Sequence, residues 1–152
     1  MNVSHRTAPL EAKAESAGVV VIHCSDPRYQ PHFQDFLRKG LGISNYALIA
    51  VPGGAQFLTL VDYLPKFSWV GWRWVKFVVD LTKPRRIILI GHDDCRWYLD
   101  LRFSHDPARL REKVTADLQR AGAGITERFS GAAVERYWAR LEADDSVSFE
   151  PV

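Results

Sequence analysis

Three short apolar runs mark the first two-thirds of the chain: Val19-Val20-Val21-Ile22, Ala47-Leu48-Ile49-Ala50-Val51 and Ile87-Ile88-Leu89-Ile90. Their hydrophobicity is continuous rather than alternating, the pattern of strands buried on both faces of a parallel sheet. The intervening segments repeat at helical spacing. Phe33, Phe36 and Leu37 predict a helix over residues 32–39, stopped by Gly40 or Gly42. Leu58, Leu60, Val61 and Leu64 predict a short helix ended by Pro65. Val75, Val78 and Val79 place the inward face of another over 71–81, closed by Lys83-Pro84. This βαβαβ order predicts an α/β fold, a mostly parallel central sheet flanked by helices. Further on, Asp106-Pro107 is a helix start, with Leu110, Val114 and Leu118 on one stripe and Gly122 at the end. Val134, Trp138 and Leu141 predict a second helix over 132–141. Residues 146–150 alternate with period two and predict an antiparallel edge strand at the C-terminus.

Length and charge narrow the classes. At 152 residues the chain is expected to be an N-terminal arm over residues 1–18 and a single α/β domain over 19–152. A formal charge of +2 gives no reason to expect nucleic acid or an anionic membrane as partner. The apolar region 67–81 is interrupted by Arg73, Lys76 and Asp80, which excludes a membrane span. No signal peptide precedes Cys24 and Cys95, so a reducing, cytoplasmic setting is expected for these two thiols. Trp69, Trp72 and Trp74, with Arg73 and Lys76 among them, are read as an apolar helix face or as a subunit contact in a homodimer or higher homo-oligomer, rather than as a base-stacking surface.

The first and third apolar runs end in residues that bind borderline-soft metals: Cys24 on one, His92 and Cys95 on the other. Each of the three alone reads more simply as a packed core residue. Ligands of open parallel sheets collect at the carboxyl ends of strands. If these strands are neighbours, two thiolates and an imidazole meet, one ligand short of tetrahedral zinc, as in catalytic sites. Water or the Asp26 carboxylate is left for the fourth position, with Arg28 as a competing partner of Asp26. His23 precedes Cys24 on a strand and belongs to the opposite face. Tyr29, His32, Asp93 and Asp94 read as solvated or capping groups.

Cys24-Ser25-Asp26-Pro27-Arg28 resembles the C-x-D-x-R motif of the β-class carbonic anhydrases, and His92-Asp93-Asp94-Cys95 their H-x-x-C motif. The resemblance covers residues 19–95. It implies zinc held by Cys24, His92 and Cys95, with Asp26 and Arg28 as catalytic residues. The implied activity is reversible hydration of carbon dioxide to bicarbonate, in a dimer. A related zinc hydrolase of carbonyl sulfide or carbon disulfide, and a non-catalytic interaction protein of the same fold, are the alternatives. The chain departs from the family pattern at Pro52-Gly53-Gly54-Ala55, in place of an Arg/Asn-Ala-Gly-Asn-like segment. It departs again at Arg96-Trp97, where a glycine usually follows the second metal cysteine.

Overall fold

A computed structural model describes residues 4–10, 13, 17–60, 65–100 and 107–152, the side chains of Phe67 and Pro107 excepted. Its elements run β1 (Val19–Cys24), α1 (Gln30–Asp35, continued by a wider π-type turn over Phe36–Gly40), β2 (Ala47–Val51) and a 3-10 turn (Gly54–Leu58). After these come α2 (Pro65–Thr82), β3 (Arg86–His92), α3 (Arg96–Asp100), α4 (Pro107–Arg128), β4 (Ala133–Leu141) and β5 (Val147–Pro151). Five strands form one sheet in the order β2-β1-β3-β4-β5. The first four are mutually parallel and β5 pairs antiparallel with β4. The expected fold class is therefore the observed one.

The sheet buries both faces. Val20, Ile22, Ile87, Leu89 and Trp138 pack with Val75 of α2, with Leu110, Val114 and Leu118 of α4, and with Phe57 of the 3-10 turn. On the other face, Val21, Ile88, Ile90 and Ala139 meet Tyr29, Phe33 and Leu37 around α1. Two-sided burial explains why β1 and β3 read as continuous apolar runs.

Four expectations need correction. Residues 132–141 form strand β4, not a helix. Val134 and Trp138 lie four apart, a spacing that serves one face of either element. Here Trp138 joins the α4 side while Tyr137 and Ala139 join the α1 side. The strand is further tied to β3 by Arg86, whose Nε and Nη2 donate to Glu135 at 2.6 and 2.9 Å. Pro65 begins α2 rather than ending a helix, in keeping with proline's tolerance at the first turn. Gly71, taken as a helix start, lies inside α2, and a Cβ there would come 2.0 Å from Phe57 Cδ2. Gly122 likewise does not end α4, which runs on to Arg128. Val61, Leu64 and Asp106 lie outside the described residues. Of the expected arm, residues 4–10, 13 and 17–18 are described and have no regular secondary structure. Among the described residues no helix is long and apolar enough to cross a membrane.

Candidate metal centre

β1 and β3 are adjacent and parallel, with His23 opposite Ile90. Their carboxyl ends therefore emerge together and bring Cys24 beside His92. After His92 the chain turns sharply. Asp93 N donates to Ala139 O at 3.0 Å and Asp93 Oδ2 accepts from Leu141 N at 2.8 Å, while Asp94 takes a left-handed φ of 50°. That turn returns Cys95 to the strand ends just before α3. The Cys24 and Cys95 Sγ atoms and a ring nitrogen of His92 all lie within 4.8 Å of one another, on three buried residues.

The donor set suits a zinc-sized cation. Cys24 Sγ and Cys95 Sγ are 3.9 Å apart, too far for a disulfide. Two thiolates on tetrahedral zinc, with bonds of about 2.3 Å, would be separated by about 3.8 Å. His92 Nδ1 donates to the Asp93 carbonyl at 2.7 Å, since a carbonyl can only accept. Nε2 is thereby left with its lone pair, and it is buried without a hydrogen-bond partner among the described residues. An orphaned imidazole nitrogen beside two thiols is costly unless a cation takes it. The Tyr29 ring packs against the imidazole at 4.2 Å, tilted by 43°.

Electrostatics divides the two thiols. Hydrogen bonding from Cys95 holds the Cys24 thiol far below its ordinary range, against the opposing effect of burial. Donation to Cys24, with burial, pushes Cys95 up. A metal binds thiolates, so a cation that takes both sulfurs displaces the protons they carry.

The Asp26 carboxylate is not part of this cluster. Arg28 holds it in a two-pronged pair, Nε to Oδ1 at 3.0 Å and Nη2 to Oδ2 at 2.6 Å, and Arg28 N adds a third bond to Oδ1 at 3.0 Å. These bonds keep Asp26 below the usual carboxylate range. Arg28 is anchored in turn by Asp94, through Oδ2 at 2.7 Å and the carbonyl at 3.0 Å. Sequence reading gave Asp94 no such role, because its partner is 66 positions away. Gln30, also missed, donates to the carbonyls of Cys24 and Asp26 at 2.8 and 3.2 Å and pins the loop. Burial pushes the Tyr29 hydroxyl up to about 12, and its oxygen has no hydrogen-bond partner among the described residues. His23 lies on the α1 side as expected, 4.5 Å from Phe33, with Nδ1 donating to Cys24 O at 2.8 Å.

A cleft of about 350 Å³ opens beside Cys24, lined by residues 24–28, Pro52, Arg96 and Trp97. A second, of about 450 Å³, lies between α2 and the end of α4, where Arg128 stacks on Trp72 at 4.0 Å.

No protein-family model matches the chain, and comparison with curated proteins finds no match. Among solved structures it is similar to a carbonic anhydrase from Glaciozyma antarctica, with a TM-score of 0.54 and 16% identity over 88% of this chain and 82% of that one. It is also similar to a β-carbonic anhydrase from Trichomonas vaginalis, with a TM-score of 0.51 and 12% identity over 95% and 87%. The fold is β-carbonic-anhydrase-like.

Proposed function

We propose that the chain is a zinc-dependent lyase of the carbonic anhydrase type that interconverts carbon dioxide and bicarbonate. The observation that carries this reading is the convergence of Cys24, Cys95 and the orphaned His92 Nε2 beside an arginine-held aspartate, on this fold. Cys24, His92 and Cys95 would hold the ion. Zinc bound there supplies a Lewis acid that lowers the pKa of water to about 7, which makes a nucleophile available at neutral pH.

The chain's own residues do the positioning. Asp26 Oδ2 accepts one bond from Arg28 and keeps capacity for another, so it can accept a hydrogen bond from a water at the mouth and orient it. Arg28 prevents the carboxylate from swinging onto the metal, and Asp94 prevents Arg28 from following it. His92 is fixed as the Nδ1–H tautomer by the Asp93 carbonyl. Pro27, Pro52 and Trp97 give the cleft apolar sides suited to a small, weakly polar substrate. The reading also implies a reducing, cytoplasmic setting, since both sulfurs must stay reduced, and a second copy of the chain as partner.

Stopped-flow hydration of carbon dioxide by the zinc-loaded protein tests this. Turnover should rise through a single ionisation at about pH 7 or above, the order of zinc-bound water. A zinc-loaded protein no faster than buffer at any pH would reject the activity.

A further inference from the structure

The two segments that depart from the β-carbonic anhydrase pattern meet in space. Trp97 is the second residue of α3, and its Nε1–H donates to Gln56 Oε1 at 2.6 Å. Gln56 belongs to the Gly54–Leu58 turn and is 2% exposed, so the acceptor is itself fixed by burial. Beside them Gly53 adopts φ 78°, where any other residue is strained. A Cβ at Gly53 would lie 2.3 Å from Trp97 Cδ1, so the indole fills the space a side chain would need. The turn thus has no side chain where the ring lies and an amide oxygen where the ring needs an acceptor.

We propose that Trp97 is a specificity-determining wall of the cleft over Cys24, with Gln56 as the positioning residue that fixes it. The wall narrows the approach to Cys24, so that it disfavours aryl and branched groups relative to small unbranched ones. This rests on the reading of the cleft as the approach to the metal centre. The physical reason is rigidity. An indole wedged on a glycine and hydrogen-bonded to a buried amide does not swing aside for a larger guest, as a free side chain would.

Alkylation of metal-free protein tests the wall without metal or turnover, because Cys24 lines the cleft. Rates at Cys24 with iodoacetamide and with N-phenylmaleimide, resolved by peptide mass mapping, are each normalised to a free thiol. Both reagents attack the same sulfur at the same pH, so its ionisation cancels in their ratio. The parent should favour the small reagent. Trp97→Ala should shift the ratio toward the bulky one by on the order of tenfold. Trp97→Phe and Gln56→Leu should move it the same way by less, and they carry the test if Trp97→Ala does not fold. Gln56→Glu, which keeps an oxygen acceptor, should restore the parent ratio. An unchanged ratio in the Trp97 and Gln56→Leu variants overturns the wall, whether or not the protein binds zinc or turns over carbon dioxide.

Discussion

Both oxygens of Asp26 accept hydrogen bonds from Arg28, and this fixes what each residue should do when changed. Arg28→Ala frees the carboxylate to compete for the metal. Zinc content should be kept while hydration falls by about 10–100-fold, the usual cost of losing an outer-shell partner. Asp26→Ala should also lose hydration but leave the cleft open to small anions, seen as tighter anion inhibition of the residual activity. The pair has a pH signature in stability too. Because the folded Asp26 pKa is depressed, its contribution is complete above the ordinary aspartate value of about 3.9 and is lost as pH falls through the depressed one. Urea unfolding should therefore show Asp26→Asn less stable than the parent at neutral pH, with the gap narrowing in acid. At this scale the motif residues were legible because each is announced by its place at the end of an apolar run. Asp94, Gln56 and Trp97 were not: their partners lie 66 and 41 positions away, and only the fold brings them together.

Strands β1 and β3 were legible because burial on both faces leaves no polar alternation. Edge strand β2, with Leu48 and Ala50 exposed, was legible from its apolar composition alone. A different property hid β4, which is mostly half-buried. Its outward-looking Glu135 and Arg136 are engaged by Arg86 and the Val152 carbonyl, so the segment shows neither alternation nor a continuous apolar run. Helix boundaries were misplaced wherever glycine serves close packing rather than termination, as at Gly71 against Phe57. Gly91 gives the sheet–helix contact a direct test. A Cβ there would lie 2.7 Å from Val114 Cγ1 and 3.3 Å from Trp138 Cε3. Gly91→Ala should cost about 1–3 kcal/mol by overpacking, and Trp138→Ala about 3–5 kcal/mol by leaving a cavity. Denaturant unfolding reads both. Near-parent stability for the tryptophan variant would contradict the placement of β4 against α4.

In the whole molecule, α2 presents Trp69, Trp74 and Phe77 at 65%, 49% and 66% exposure. Exposed apolar area of that kind marks a contact, and light scattering at micromolar concentration should find at least a dimer. Trp74→Glu with Phe77→Glu should shift it toward monomer; a parent that is monomeric throughout would remove the second copy from the account. The larger claim is that two strand ends about seventy residues apart in sequence are joined to bind a metal. Metal content tests this most directly, by elemental analysis of protein purified without added metal, beside Cys95→Ser. The account predicts about one zinc per chain in the parent and little in the variant. No zinc in a folded parent that also fails to take it up on addition, or full occupancy in Cys95→Ser, would contradict it.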